Sequence, residues 1–191
     1  QLGGGTRVLF VTGPNLAGKT TYLRTTAQVL LLAQMGMSVP ARKLAFTPVE
    51  VLRTSLNPRD NLREGLSYFQ AELLRVREVA VHVAKGRRVF AVFDEVFRGT
   101  NLKDACDASG VVIRGFARAG RCGFMFASHL VELVEALRVD GSVRFECFAG
   151  GIDDEGARFS YRVREGVSDQ RLGLALLEAT DIPELLAEID G

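Results

Sequence analysis

Residues 8–20 read VLFVTGPNLAGKT, an apolar run followed by a glycine loop. The run is rich in β-branched and aromatic residues, which predicts a buried strand over Arg7–Thr12. Gly13–Thr20 then matches the spacing G-x-x-x-x-G-K-[ST] of a phosphate-binding loop. Glycines let backbone N–H groups turn inward around phosphates, and the helix that follows directs its positive end at them. The stretch therefore predicts a nucleotide-binding α/β domain.

Two side chains of this loop have defined chemistry toward a nucleotide. Lys19 can reach the β- and γ-phosphates of a bound triphosphate, and the Thr20 hydroxyl can ligate Mg²⁺. The ammonium group is therefore predicted to bind phosphate, and the hydroxyl is predicted to bind the metal ion.

A second strand delivers carboxylates to the same kind of position. Residues 88–93, RVFAVF, form an apolar run that is followed directly by Asp94 and Glu95. On open parallel sheets, nucleotide ligands gather at the carboxyl ends of the strands. Asp94 is predicted to hold Mg²⁺ directly or through water. Glu95 is predicted to polarise a water molecule against the γ-phosphate.

A third strand end carries a histidine. Ser128 and His129 follow the short apolar run 123–127. A histidine in this position can donate a hydrogen bond to the γ-phosphate and so respond to its presence. A purely structural histidine is the alternative at this position.

The rest of the chain repeats units of strand and helix. Further strands are predicted over Val49–Thr54, Arg88–Phe93 and Gly123–Ala127, and helices over Thr20–Met35, Leu66–Lys85, Lys103–Ala119 and Leu130–Leu137. The apolar face of the second helix is expected at Leu73, Val76, Ala80 and Val83. Alternating strands and helices favour a mostly parallel sheet flanked by helices.

The carboxyl-terminal part differs from these units. Strands over Val143–Phe148 and Arg158–Val163 are predicted to form a hairpin around the turn residues 150–154. Helices are expected from about 170 to 179 and from 183 to 189. The fold class is therefore α/β with a C-terminal β-hairpin and a helical tail.

Composition limits the function classes. The chain has 191 residues, with 24 Lys and Arg against 23 Asp and Glu, so its net charge is +1. This balance gives no electrostatic reason for the domain itself to bind nucleic acid tightly.

Three scattered cysteines favour reduced thiols in the cytoplasm. No apolar run approaches the roughly 20 residues of a membrane helix. Because the chain starts at Gln1 and runs almost directly into a strand, we expect it to be part of a longer protein.

Several segments, in order along the chain, resemble motifs of the MutS family. They are Gly13–Thr20 with its Pro14–Asn15 pair, Val39–Ala41, Gly65–Glu72, Asp94–Thr100, Ala127–His129 and Tyr161–Ala175. The matches span most of the chain. The resemblance implies an ABC-type P-loop ATPase that uses ATP and Mg²⁺, within one domain over residues 1–191. It implies a nucleotide-binding core to about residue 165 and a helical dimerisation tail over about 166–191.

The resemblance also assigns roles to single residues. It implies that Gly13, Pro14, Asn15, Leu16, Ala17, Gly18, Lys19, Thr20 and Thr21 bind the nucleotide. Ser67 would reach the nucleotide of the partner subunit in a homodimer, and residues 98–101 would lie at the same interface. The catalytic residues would be Lys19, Glu95 and His129, and the metal ligands Thr20 and Asp94. The parent protein would contact DNA through other domains, as in mismatch repair.

Three positions depart from the family pattern. Phe97 stands where glycine is usual, and Asn101 and Arg171 stand where serine is common. These departures indicate a divergent branch. The alternatives are a MutS-related ATPase with a role outside mismatch repair, a P-loop kinase or a nucleotide switch. A kinase usually needs an arginine-bearing lid, for which the sequence has no convincing candidate, and the carboxylate of Glu95 favours hydrolysis over a pure switch.

Overall fold

The computed structural model describes residues 2–56, 68–97, 99–130, 132–153, 156–168, 177, 180–187 and 189. The strands are β1 (Val8–Thr12), β2 (Val51–Ser55), β3 (Val89–Asp94), β4 (Gly123–Ala127), β5 (Val143–Asp153) and β6 (Gly156–Glu165). The helices are α1 (Lys19–Gln34), α2 (Tyr68–Ala84), α3 (Leu102–Ala117), α4 (Glu132–Leu137) and α5 (Ile182–Ala187). Strand and helix alternate from β1 to β5, as the sequence predicts.

Within the described ranges, the strands form one six-stranded sheet in the order β2-β3-β4-β1-β5-β6. All neighbouring pairs from β2 to β5 are parallel, and β5 pairs with β6 in antiparallel orientation. Crossover helices are needed because parallel neighbours cannot be joined by a tight turn. The predicted α/β fold with a C-terminal hairpin is confirmed.

The two faces of the sheet bury separate cores. Val8 and Phe10 of β1 point to the face covered by α2, α3 and α4, where Phe93, Phe116 and Phe126 form stacked pairs. The alternate β1 residues pack on α1 from the other face. A strand that is apolar on both sides is typical of a central position in a parallel sheet. The apolar run before the glycine loop therefore places that loop at the middle of the molecule.

The predicted apolar face of α2 is wrong at two positions. Leu73 is 41% exposed, and Ala80 is exposed as well. The buried face instead runs through Glu72, Val76 and Val79, at spacings of four and three residues. Glu72 made the buried stripe hard to recognise in the sequence, because an acidic residue is expected on the solvent-facing side of a helix.

The predicted hairpin turn is also displaced. Residues 150–153 belong to β5, which continues to Asp153, and β6 begins at Gly156. A register shift between Phe148 and Gly150 interrupts the ladder. Bulges of this kind permit a strand to continue past a glycine that would otherwise suggest a turn.

Parts of the predicted tail lie outside the described residues. Of the helix predicted near residues 170–179, only Leu177 is described, whereas α5 overlaps the helix predicted over 183–189 and begins one residue earlier. The division of the chain near residue 165 stays a prediction. None of the described helices combines the length and the apolar character that a membrane crossing requires.

Candidate nucleotide site

The register of the sheet brings three strand ends together. Ala127 of β4 pairs with Val11 on one side and with Asp94 on the other. The ladder continues beyond the strands, since the Ser128 N–H donates to the Val11 carbonyl at 3.1 Å and the Glu95 N–H donates to the Ala127 carbonyl at 2.8 Å. The loops after β1, β3 and β4 therefore lie side by side at one edge, where ligands bind on sheets of this type.

The loop after β1 requires glycine at two points. Gly13 has a φ of 141°, and a Cβ added to it would lie 2.7 Å from the Phe148 carbonyl oxygen. Gly18 has a φ of 105°, and a Cβ there would lie 3.5 Å from the Tyr161 ring. Both conformations are left-handed, and glycine adopts them without steric cost. The hairpin of β5 and β6 therefore packs closely beneath the loop that the sequence predicts to bind phosphates.

Lys19 begins α1 and lies buried inside the loop. Its Nζ donates to the carbonyl oxygens of Gly13 at 2.7 Å and Pro14 at 3.0 Å. The same atom lies 3.8 Å from Oε1 of Glu95. The ammonium group thus braces the loop and links it to the carboxylate at the end of β3.

Thr20 and Asp94 meet across the site. The Thr20 hydroxyl donates to Oδ2 of Asp94 at 2.5 Å. Hydroxyl and carboxylate oxygens are the donors that Mg²⁺ prefers, and Mg²⁺ in phosphate sites commonly takes only one or two protein ligands. The described residues contain no cluster of three or more His, Cys, Asp or Glu that could hold a metal ion. Thr20 and Asp94 therefore fit an ion whose other ligands are phosphate oxygens and water.

Glu95 and His129 face each other at the edge of the site. Nδ1 of His129 lies 3.6 Å from Oε1 of Glu95. The Glu95 side chain is 9% exposed, whereas that of His129 is 52% exposed. Beside them lies a cavity of about 350 Å³, lined by both residues together with Phe97, Leu130 and others. The histidine is thus accessible from solvent, while the carboxylate is enclosed.

The backbone after β3 adopts left-handed conformations without glycine. Glu95 has a φ of 49° and Phe97 a φ of 67°. Such conformations cost about 1–3 kcal/mol each for residues with a side chain and cluster at functional sites. The turn that carries Glu95 is therefore held in place by its surroundings.

The carboxyl-terminal strands contact the first turn of α1, directly after the glycine loop. The Tyr22 ring packs edge-on against the Phe148 ring at 5.8 Å, and its hydroxyl donates to Oε2 of Glu146 at 3.1 Å. Burial, followed by the nearby Glu146 carboxylate, raises the pKa of Tyr22 well above its usual value, so the phenol stays protonated and remains a donor. Farther along, the Ser168 N–H donates to Oγ1 of Thr12 at 2.8 Å. The chain after β6 thus returns to the end of β1.

The remaining predicted site residues differ in exposure, and some of them lie outside the described residues. Asn15, Leu16 and Thr21 are exposed, whereas Pro14 and Ala17 are buried. Ser67, Arg98 and Arg171 lie outside the described residues. Asn101, one of the departures from the family pattern, caps α3, since its side chain accepts a hydrogen bond from the Asp104 N–H at 2.9 Å.

Sequence reasoning assigned no role to Glu72. The residue is 1% exposed, and its Oε2 accepts a hydrogen bond from the Phe97 N–H at 2.8 Å. A signal was present: Glu72 lies on the helical stripe of Val76 and Val79, and a charged residue on a core-facing stripe requires a partner.

Comparison with known proteins identifies the family of the chain. A sequence profile described as MutS domain V matches residues 9–189. The DNA mismatch repair protein MutS of Persephonella marina is 33% identical over 174 residues, covering 91% of this chain and 20% of that protein. The protein of the same name from Bacillus licheniformis is 29% identical over 189 residues, covering 96% of this chain and 21% of that protein. The chain spans about a fifth of the length of these relatives. It belongs to the MutS domain V family and is a MutS-like ATPase domain.

Proposed function

We propose that this domain binds ATP with Mg²⁺ and hydrolyses it at the edge formed by β1, β3 and β4. The observation that carries the proposal is the contact between the two strand-end loops. Nζ of Lys19 lies 3.8 Å from Glu95, and Thr20 donates to Asp94 at 2.5 Å. A phosphate-binding cation, a hydrolytic carboxylate and a pair of metal ligands therefore belong to one site.

Each side chain has a distinct task in this proposal. Lys19 neutralises the β- and γ-phosphates, and Glu95 orients the attacking water and accepts its proton. Thr20 and Asp94 would hold the metal ion, which would supply positive charge against the negative charge that develops on the phosphate. His129 donates a hydrogen bond to the γ-phosphate from the solvent side. Most of the acceleration then comes from positioning and electrostatics, as is usual for phosphoryl transfer.

The substitution Glu95→Gln tests the hydrolytic role. In the complete natural polypeptide, we expect ATP binding to persist and turnover to fall about 10²–10⁴-fold, because the amide cannot accept the proton. Glu135→Gln is the matched control, since Glu135 lies on α4 in an exposed ion pair with Arg138. Turnover that survives Glu95→Gln unchanged removes Glu95 from this role.

We further propose that two copies of the domain form composite ATP sites. In such a dimer, each site takes its phosphate loop from one subunit and Ser67 from the other. The membership of the chain in the MutS domain V family supports this arrangement. A donor that arrives from a partner would stabilise transition-state charge only when the dimer closes. Hydrolysis is then expected to rise faster than linearly with protein concentration.

Mixing two inactive variants tests the composite site. Lys19→Ala and Ser67→Arg each disable both sites of a homodimer. Their heterodimer contains one site with an intact Lys19 and an intact Ser67, so partial activity is expected to return. If heterodimers form and activity does not return, each subunit hydrolyses ATP without its partner's serine.

The relatives support a proposal for the role of hydrolysis. Proteins named DNA mismatch repair protein MutS contain a similar stretch within chains about five times as long. We propose that ATP turnover here drives conformational change in a cytoplasmic, DNA-binding parent protein. The near-neutral charge of this domain agrees with DNA contacts made elsewhere. Binding of the complete polypeptide to matched, mismatched and branched duplexes, with and without ATP, tests both the DNA role and its mismatch specificity.

A further inference from the structure

A buried carboxylate on α2 contacts the turn that follows Glu95. Glu72 is 1% exposed, and its Oε2 accepts a hydrogen bond from the Phe97 N–H at 2.8 Å. Burying a carboxylate costs free energy that an apolar residue of similar size would not cost. The stability of the core alone does not explain a glutamate here, and its acceptor oxygen faces the backbone of the site.

The same helix also grips the side chain of Phe97. The rings of Phe69 and Phe97 lie 5.5 Å apart between centroids, and Phe97 is completely buried. Phe69 and Glu72 are three residues apart, so they lie on one face of α2. One face of the helix therefore holds both the ring and the N–H group of Phe97.

The contacts from α2 act on residues 95–97, whose backbone is already restrained. The Glu95 N–H is held by the Ala127 carbonyl at 2.8 Å, on the β4 side of the turn. Glu72 holds the turn two residues later, at the Phe97 N–H. Glu95 and Phe97 are both left-handed, a state that persists only where neighbours enforce it. Loss of either contact would let the turn relax and redirect the Glu95 side chain.

We propose that Glu72 is a positioning residue for ATP hydrolysis. By accepting the Phe97 N–H, it fixes the turn 95–97 and directs the Glu95 carboxylate toward Lys19 and His129. The proposal rests on the hydrolytic role proposed for Glu95. Glu72 itself lies in the core and acts through the backbone.

Three substitutions of Glu72 separate positioning from general stability. Glu72→Leu keeps the volume and removes the acceptor, Glu72→Gln keeps an acceptor oxygen, and Glu72→Asp keeps the charge but shortens the reach. Val79→Ala is the control, because Val79 is 2% exposed on the same face of α2 and lies outside the site. The measurements are kcat, KM, ATP affinity and the thermal midpoint of the complete polypeptide.

We expect Glu72→Leu to lower kcat on the order of 10- to 100-fold, as small misplacements of catalytic groups do, with ATP affinity nearly unchanged. Glu72→Gln restores most of kcat, and Val79→Ala lowers the thermal midpoint without lowering kcat. If Glu72→Leu does not fold, Glu72→Asp must show the kcat loss at unchanged ATP affinity. An unchanged kcat, a loss that Gln does not relieve, or a parallel loss of kcat, ATP affinity and thermal midpoint overturns the proposal.

A double variant distinguishes this proposal from the one on which it rests. If Glu72 acts through Glu95, adding Glu72→Leu to Glu95→Gln causes no further loss of kcat, because the positioned group is already missing. A further loss of the full single-variant size shows that Glu72 acts elsewhere and overturns the proposal. Failure of the hydrolytic assignment is visible separately, as turnover that Glu95→Gln alone leaves unchanged.

Discussion

The loops after β1 and β3 both contain left-handed backbone conformations, but they use different residues to adopt them. Both end a buried strand, and both need left-handed conformations to aim chemical groups at a shared edge. The first loop places Gly13 and Gly18 at its tightest left-handed positions. The second uses Glu95 and Phe97, which have side chains and are held by neighbouring elements. In the first loop glycine makes the left-handed conformation inexpensive, whereas the second loop depends on tertiary contacts to hold residues with side chains in that conformation.

The largest effect is expected at Phe97. Phe97→Ala removes a fully buried ring and keeps the left-handed strain, so we expect a loss of about 3–5 kcal/mol in the free energy of unfolding. Phe97→Gly removes the same ring but relieves the strain, so it should be less destabilising than Phe97→Ala by about 1 kcal/mol. Hydrogen exchange of the β3 amides in the complete polypeptide measures both. If the free energy of unfolding of Phe97→Ala exceeds that of Phe97→Gly, as it does at most positions, the turn is not strained.

Gly13 should give the next largest effect. A Cβ at this position would meet the Phe148 carbonyl oxygen at 2.7 Å, and its φ is 141°. We expect Gly13→Ala to cost on the order of 2–3 kcal/mol and to abolish ATP binding. Hydrogen exchange of the β1 amides and ATP titration measure the two losses.

Gly36→Ala is the matched control for Gly13. Gly36 follows α1 with a φ of 74° and open space around it. Only backbone strain remains there, so the cost should be about 1 kcal/mol, with ATP binding retained. If Gly13→Ala and Gly36→Ala lower the free energy of unfolding equally, the contact with β5 does not explain the requirement for glycine at position 13.

This contrast explains how much of the fold and site the sequence predicted. The glycine loop, the strand-end Asp94 and Glu95, and the parallel sheet leave local marks in composition and spacing. The stripe that Glu72 shares with Val76 and Val79 indicates a buried carboxylate, but it does not identify Phe97 as the partner, because the two residues are 25 positions apart. The continuation of β5 through residues 150–153 was hidden likewise, since pairing with β6 outweighs the local turn preference of glycine and aspartate.

Thr20 and Asp94, the proposed metal ligands, join the two loops by a hydrogen bond, and Asp94→Asn tests the assignment. We expect ATP affinity to fall about 10- to 100-fold in the presence of Mg²⁺ and to change little in its absence, because the amide loses the charge that the ion prefers. Asp107→Asn, an exposed position on α3, is the control. Equal losses with and without Mg²⁺ would assign Asp94 to the phosphates or the fold rather than to the metal.

The smallest effect is expected at Leu16, which is left-handed within the glycine loop itself. Its φ is 67°, but its side chain is 80% exposed, so it has no buried ring to lose. Leu16→Gly should therefore raise the free energy of unfolding by up to about 1 kcal/mol, since relief of strain exceeds the added entropy of the unfolded chain.

Val139→Gly is the control, because Val139 is 88% exposed and is not among the left-handed residues. There, glycine should lower the free energy of unfolding by about 0.5–1 kcal/mol. Opposite signs at the two exposed positions, measured by hydrogen exchange, would show that the loop after β1 still carries local strain that glycine can relieve. A loss at Leu16 equal to that at Val139 would show that the left-handed backbone at Leu16 carries no strain that glycine can relieve, and strain would then distinguish the loop after β3 alone.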